Sequence, residues 1–312
     1  MGARPGLRCF GVDLLFPEQK ALRGSLMQAR NSQRFAAIAT RAVSIGLIAL
    51  VVFVITFPFI WALVTSFKDR IDSLQMTFIP FIQFEPTLFN WRNELVVTWP
   101  ETRRALYNSA VISVSAAAIA TALGTLAGYA LARFRFAVGN SNILAWVLSQ
   151  RFMPPVATLI PLFILFQSVG LIDSLFGMVL INATLVLPFS ILIMRDYFAE
   201  FPKEVEEAAF VDGASFWSYF VRIALPLSTP AIAASAIICF AFAWNEFIFA
   251  SVLTNREAQP YTLSIISSAG TRGINFGFVS TRMLLAVALP VILSLFVQRY
   301  IIRGLSMGAV KG

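Results

Sequence analysis

A run of small residues around Glu207 has the composition of a surface that docks onto another protein. Glu207-Ala208-Ala209 is followed after three residues by Gly213, and Ile223-Ala224-Leu225-Pro226 begins nine residues later. Alanine and glycine carry little or no side chain, so a partner's groove can approach the backbone closely. A single glutamate can fix the orientation of such a contact. The run lies between two apolar stretches, so an amphipathic linker at a membrane surface is the alternative interpretation.

Local signals predict how this run folds. Pro202 favours a helix start, and Lys203–Val211 can form a short helix. Asp212-Gly213 predicts a turn, and Ser215 can cap a second helix. Acidic side chains in the first turns of a helix are favoured by its dipole, and three are present here: Glu204, Glu206 and Glu207.

Polar side chains inside apolar stretches form a second group with potential chemistry. Such groups are costly in a membrane, so they are candidates for a substrate pathway. An aromatic ring beside amides suits a sugar, because the ring covers the apolar face and the amides bind hydroxyls. The alternative for each residue is a hydrogen bond between helices. The predicted pathway residues are Trp244, Asn245, Glu246, Asn182 and Arg151.

A glycine-rich loop, Thr254–Thr281, is the third candidate. Loops of this length are uncommon without a role, although a flexible connector is the alternative. Its candidate contact residues are Gly270, Gly273, Asn275 and Gly277.

The residue types that are missing exclude several function classes. The chain has no histidine, so the usual general base and commonest metal ligand is absent. Cys9 and Cys239 are its only cysteines, and neither a disulfide framework nor a CxxC site is plausible. No lysine follows a glycine, so there is no Walker A loop. We expect no catalytic residue, no metal and no cofactor. The energy for any transport must come from another chain or an ion gradient.

The composition predicts an all-α integral membrane protein. The 312 residues are 58% hydrophobic and 13% charged, with a mean hydropathy of +0.77. About 20 apolar residues cross the roughly 30 Å of hydrocarbon in a bilayer. Six stretches reach that length and are predicted as transmembrane helices: Val43–Thr65, Leu106–Ala132, Ile143–Gln167, Leu175–Met194, Pro230–Leu253 and Met283–Ile302.

The basic residues predict the orientation of these helices. The net charge of +8 comes from residues that flank the apolar stretches, which argues against nucleic-acid binding. Cytoplasmic loops are enriched in lysine and arginine, and the bias favours both termini in the cytoplasm. The docking run then faces the cytoplasm, and Thr254–Thr281 faces outside.

The docking run resembles the EAA motif of binding-protein-dependent ABC importers, in which Glu-Ala-Ala, three residues, Gly, nine residues and Ile-x-Leu-Pro follow one another. Every defined position matches. The resemblance covers the chain from residue 35 onward and is closest to the smaller, maltose-type permease of carbohydrate importers. Its other similar segments are Asn108-Ser109, Pro154-Pro155 with Pro161, Gly170–Ser174, Trp244–Phe247 and Gly308–Gly312.

The resemblance implies a type I ABC importer permease fold with a cytoplasmic EAA coupling helix. It also implies a permease domain (residues 41–312) that contains an EAA loop (residues 195–229). The residues before the first apolar stretch (1–40) are predicted to be a cytoplasmic leader. The protein would be a multi-pass subunit of the bacterial cytoplasmic (inner) membrane.

The same resemblance implies the function and the partners. The chain would take up a sugar or polyol by alternating access, without being an enzyme itself. It would pair with a second homologous permease, two ATP-binding subunits and an extracytoplasmic sugar-binding protein. Glu207, Ala208, Ala209 and Gly213 would contact the ATPase, and the glycine-rich loop would contact the binding protein. The alternative is an ion-coupled secondary transporter, for which Glu246 is nearly the only intramembrane carboxylate.

Overall fold

The structure, a computed structural model, describes the backbone of residues 17–266, 269–270 and 273–308 and the side chains of residues 40–266 and 274–295. Residues 1–16 of the predicted leader and residues 309–312 of the C-terminal tail lie outside the described residues. The chain divides into two compact units, Met1–Ile60 and Trp61–Gly312.

Helices make up nearly all of the described backbone. The helices are α1 (Pro17–Ser66), α2 (Phe89–Arg92), α3 (Trp99–Arg133), α4 (Asn140–Phe152), α5 (Pro155–Ser168), α6 (Leu175–Glu200), α7 (Lys203–Val211), α8 (Phe216–Tyr219), α9 (Leu225–Leu227), α10 (Thr229–Trp244), α11 (Ala250–Leu253), α12 (Tyr261–Ile266) and α13 (Phe276–Gly308). Two π-helical turns, Asn93–Val97 and Phe220–Ala224, follow α2 and α8, and a 3-10 turn covers Asp72–Leu74. The strands β1 (Ala269–Gly270) and β2 (Gly273–Ile274) form an antiparallel hairpin.

The described helices agree with the predicted class of membrane protein. Four are long and apolar enough to cross a bilayer, within Thr40–Ser66, Trp99–Arg133, Leu175–Glu200 and Phe276–Leu295. Two bent helix pairs raise the number to six if each pair is one span. The prediction of six spans is therefore compatible with the described part of the chain.

The third predicted span, Ile143–Gln167, was wrong as one continuous helix. The helices α4 and α5 meet at an angle of 90°. Met153 between them has an extended backbone, with φ −69° and ψ 124°. Proline disfavours helical geometry in the residue before it, and Pro154 follows Met153. Pro155 then begins α5. The proline pair is thus the physical cause of the bend.

The fifth predicted span, Pro230–Leu253, was also wrong as a continuous helix. The helix α10 ends at Trp244, and α11 begins only at Ala250. The Glu246 carboxylate accepts the backbone N–H groups of Phe249 (2.7 Å) and Ala250 (3.1 Å), which caps the new helix. Asn245 and Glu246 therefore lie in a break between helices rather than deep inside one.

The core of the second unit is the contact between α3 and α6, against which α10 also packs. Gly124 lies against Ser190, and Gly128 lies against Met194 and Arg195. A Cβ atom at Gly128 would be 2.8 Å from the Met194 Cβ and 2.7 Å from the Arg195 backbone nitrogen. Only glycine allows the two backbones to approach this closely.

The two ends of α3 contact different segments of the chain. Tyr129 and Arg133 at its C-terminal end contact the EAA loop, and we call this the EAA end. Asn108 and Ser109 toward its N-terminal end contact residues 257–261, and we call this the loop end.

Candidate functional site

The docking run folds as its local signals predict. Lys203–Val211 is helical with Pro202 at the N-cap, and the Ser215 hydroxyl accepts the Ser218 N–H at the start of α8. Gly213 has a φ of +82°, which favours glycine. Its N–H donates to the Phe210 carbonyl, and the Ala214 N–H donates to the Ala209 carbonyl, each over 3.0 Å. This pair of bonds is a Schellman motif, which ends α7 sharply.

The predicted coupling residues divide between surface and interior. Glu207, Ala208 and Gly213 are exposed, and no heavy atom lies within 4 Å of a Cβ built on Gly213. Ala209 is buried at 6% exposure and faces the interior of its own chain. Two large apolar side chains in the same segment are exposed, Val211 at 87% and Trp217 at 64%. The segment therefore presents an open surface of small and apolar groups.

Glu206 behaves differently from its acidic neighbours Glu204 and Glu207. Its Oε1 accepts the Tyr129 hydroxyl over 2.7 Å, and its Oε2 is 2.8 Å from the Arg133 Nε. The Arg133–Glu206 contact is an ion pair with side-chain exposures of 6% and 16%. Local sequence signals did not single out Glu206, because its partners lie in α3.

Four of the five predicted pathway residues line one cavity of about 230 Å³: Arg151, Asn182, Asn245 and Glu246. Trp244 is not among its lining residues. It is 3% exposed, and its Nε1 donates to the Ala286 carbonyl over 3.1 Å, so it packs α10 against α13. The aromatic lining is instead Phe242, Phe247 and Phe249, and the Phe242 ring stacks on Phe189 at 4.3 Å. Sequence reasoning missed Phe242, although it lies three residues before Asn245.

The polar groups of this cavity are only partly satisfied by the chain. The Arg151 guanidinium lies 4.1 Å from the Phe189 ring centre, and its Nη1 donates to the Leu185 carbonyl over 3.2 Å. Asn182 is 1% exposed; its Nδ2 donates to the Met178 carbonyl, while its Oδ1 has no partner among the described residues. A buried unpaired amide oxygen is costly unless a ligand or water donates to it.

The loop end is held by the carboxylate of Asp173. It accepts four backbone N–H groups, from Asn255, Arg256, Glu257 and Ala258, at 2.9–3.2 Å. Desolvation tends to raise the pKa of Asp173, but these amides outweigh it and hold the pKa below its ordinary value. The turn that follows α11 is therefore fixed rather than loose.

A second carboxylate, that of the buried Glu94, joins three further segments at the loop end. Its Oε1 accepts the hydroxyls of Thr102 (2.7 Å) and Tyr261 (3.2 Å), and its Oε2 accepts the Arg282 Nε (2.8 Å). Desolvation and the Glu94 charge raise the pKa of Tyr261, so its hydroxyl remains a donor. This network links α3, α12 and α13.

The predicted contact residues of the glycine-rich loop hold structural positions in the hairpin and at the start of α13. Gly270 and Gly273 pair in the β1–β2 hairpin. Asn275 caps α13, because its Oδ1 accepts the Gly277 and Phe278 N–H groups. Gly277 is buried, and a Cβ there would lie 2.4 Å from the Asn90 Nδ2.

Comparison with known proteins identifies related chains. Residues 120–307 match the family described as binding-protein-dependent transport system inner membrane component. The probable ABC transporter permease protein y4oR of Sinorhizobium fredii is 33% identical, over 83% of this chain and 91% of its own. The trehalose/maltose transport system permease protein MalG of Thermococcus litoralis is 32% identical, over 84% of this chain and 94% of its own.

A solved structure shares the fold. A chain of a bacterial ABC transporter that imports the acidic polysaccharide alginate superposes with a TM-score of 0.67. It is 20% identical, and the match covers 86% of this chain and 97% of that one.

Proposed function

This chain belongs to the family of binding-protein-dependent transport system inner membrane components, and on that premise we propose that it is the transmembrane permease subunit of an ABC importer for a sugar or polyol. Transport proceeds by alternating access and is driven by ATP hydrolysis in partner subunits. Family membership decides against the ion-coupled alternative. In addition, both Glu246 oxygens are engaged by the start of α11.

The observation that carries the proposal is the surface of the EAA loop. Glu207 and Ala208 on α7, Gly213 in the following turn, and the apolar Val211 and Trp217 are all exposed. Two turn bonds fix the end of α7. Exposed apolar groups on a rigid support are typical of a protein contact. The occupant is a cytoplasmic ATP-binding subunit. Glu207 pairs there with a basic group, and Ala209 supports the surface from inside.

The remaining partners follow from the same assignment. A second homologous permease completes the transmembrane pathway, and two ATP-binding subunits bind on the cytoplasmic side. Both termini of this chain lie in the cytoplasm of a bacterial cell, as the positive-inside rule favours. An extracytoplasmic sugar-binding protein contacts the hairpin through Gly270 and Gly273, while Asn275 and Gly277 fix the base of the hairpin.

The substrate pathway includes the cavity at the break after α10. Phe242 offers a ring for the apolar face of a sugar, and Asn182 offers an unpaired amide oxygen for a hydroxyl. Arg151, Asn245 and Glu246 complete the polar lining. The relative named for trehalose and maltose transport supports the sugar class.

The test is purification of the intact complex from its native membrane. ATP-binding subunits and a second permease should be retained, and the solute bound by the associated binding protein should be a sugar or polyol. Reconstituted in liposomes, the complex should hydrolyse ATP faster with the loaded binding protein than without it. Uptake without any ATP-binding subunit would overturn the proposal.

A further inference from the structure

We propose that Glu206 is a positioning residue that transmits movement of the EAA loop directly to α3, through Arg133 and Tyr129. This inference rests on the proposed function, since it concerns how docking at the EAA loop moves the membrane helices. Glu207 contacts the ATPase in that scheme, whereas Glu206 faces the interior of its own chain.

The helix α7 has one covalent and one polar connection to the membrane helices α6 and α3, which precede it in the chain. The covalent one is the Phe201-Pro202 joint after α6, where both residues have an extended backbone (ψ 130° and 125°). Such a joint has no helical hydrogen bonds to keep α7 aligned with α6. A second connection is therefore needed if α7 is to move the membrane helices without bending at the joint.

The Arg133 side chain supplies the second connection by binding both sides of the joint. Its Nη2 donates to the Phe201 carbonyl over 2.8 Å, and its Nε lies 2.8 Å from the Glu206 Oε2. Arg133 is the last residue of α3, and Tyr129 one turn earlier donates to the other Glu206 oxygen. Two side chains of α3 thus bind the Glu206 carboxylate of α7.

Aromatic rings shield these contacts of Glu206 from water. The Tyr129 ring contacts Phe198 of α6 edge to face at a centre distance of 5.1 Å. It also contacts Phe216 at 5.7 Å and Phe220 at 5.0 Å, both on the second half of the EAA loop. Removal of one partner from a shielded ion pair leaves a buried charge without compensation. The end of α3 and both halves of the loop therefore form one packed unit.

The chain provides a matched control for the test. Glu204 lies on the same helix two residues earlier but is exposed. Glu206→Gln removes the charge while it keeps the size and an acceptor oxygen for Tyr129. Glu204→Gln makes the same chemical change without touching α3. Tyr129→Phe removes only the hydroxyl.

The experiment compares these variants in the complete complex, reconstituted in liposomes with the loaded binding protein. Glu206→Gln should retain the ATP-binding subunits and the basal ATP hydrolysis. The stimulated-to-basal ratio and uptake should fall roughly 5-fold or more, the lower end of ordinary coupling between sites. Tyr129→Phe should reduce the same ratio by less. Tyr129→Phe combined with Glu206→Gln should lose no more than Glu206→Gln alone, because the two groups act as one unit.

Three results would overturn the proposal. The first is a Glu206→Gln complex in which the loaded binding protein stimulates ATP hydrolysis as strongly as it does in wild type and in Glu204→Gln. The second is loss of the ATP-binding subunits together with stimulation, which would make the ion pair part of the docking surface. The third applies if Glu206→Gln does not accumulate in the membrane. In that case, a Tyr129→Phe complex whose ATP hydrolysis is stimulated as strongly as that of wild type would overturn the proposal. A wild-type complex that binds no ATP-binding subunit would instead overturn the proposed function, so the two failures are distinct.

Discussion

The backbone N–H of Ala214 donates to the carbonyl of Ala209 over 3.0 Å, and this bond folds the chain back across the end of α7. The intervening Gly213 has a φ of +82°. No other described atom approaches within 4 Å of a Cβ at Gly213, so the space above it is open in this chain. The backbone conformation of this turn favours glycine, and the surface of the turn is open to contact by another protein.

The first prediction concerns this turn. Gly213→Asp adds a side chain at positive φ, at a cost of roughly 1–2 kcal/mol, and puts a carboxylate into the proposed docking surface. Glu207→Lys brings like charge to the proposed basic group. Both variants should insert in the membrane but bind the ATP-binding subunit weakly and abolish sugar uptake. Pull-down of that subunit, together with uptake in cells, measures both effects.

A control separates strain from docking at this turn. Gly170 also has a positive φ, +69°, and open space around it, but it lies at the loop end. Gly170→Asp should therefore bind the ATP-binding subunit normally. Wild-type docking and uptake in both Gly213→Asp and Glu207→Lys would refute the coupling role of this segment.

The second prediction concerns topology. Ser215 and Asn255 are exposed at the EAA end and the loop end respectively. With Cys9 replaced and Cys239 buried, a single cysteine at either position reports its own side of the membrane. An impermeant thiol reagent added to intact cells should label Asn255→Cys and leave Ser215→Cys unlabelled. The predicted orientation cannot stand if both are labelled from outside.

The third prediction tests the contact between α3 and α6. Gly128→Val would push a side chain into the Met194 Cβ and the Arg195 backbone, which lie under 3.0 Å from the new Cβ. Overpacking of this kind costs about 1–3 kcal/mol. Thermal unfolding of the purified protein in detergent should begin at a lower temperature. Ala122→Val, on an exposed position of the same helix, should unfold like wild type; equal loss in both would contradict the close contact.

The fourth prediction concerns Asp173 and pH. Because the four amides lower its pKa, their stabilisation is fully present above the ordinary value of about 3.9 and is lost as pH falls through the lower folded value. Asp173→Asn removes the charge at every pH. Hydrogen exchange at residues 255–258 should therefore be faster in this variant at neutral pH, and slow in wild type down to pH 4.

The matched change for Asp173→Asn is Asp196→Asn, since the Asp196 side chain is 66% exposed. It should leave exchange at residues 255–258 unchanged. Slow exchange there in Asp173→Asn would show that neutral acceptors hold the turn equally well.

Local rules were sufficient for the EAA loop, and the reason is physical. The bounds of α7, the turn at Gly213 and the cap at Ser215 depend on residues within a few positions of one another. Apolar length was likewise sufficient to find the four helices that are long enough to cross a bilayer by themselves. These features require no knowledge of the partners in space.

The missed features depend on residues far apart in the chain. Glu204, Glu206 and Glu207 look alike in sequence, and contacts with Arg133 and Tyr129 of α3 distinguish Glu206. Arg282 pairs with Glu94, 188 residues earlier, and no local pattern predicts that contact. The breaks at Met153 and after Trp244 lie in stretches whose mean hydropathy predicts a span despite Arg151, Asn245 and Glu246, so hydropathy alone does not reveal them.

The bonds of Asp173 have a consequence for the order in which the protein is made. Asp173 and Ala258 are 85 residues apart. At a synthesis rate of about 5–20 residues per second, Asp173 leaves the ribosome roughly 4–17 s before its last partner. Its carboxylate must remain solvated during that interval. The hydrogen bonds of Asp173 at the loop end therefore form only after α10 and α11 have been synthesised. A nascent chain that stops before Asn255 cannot form them.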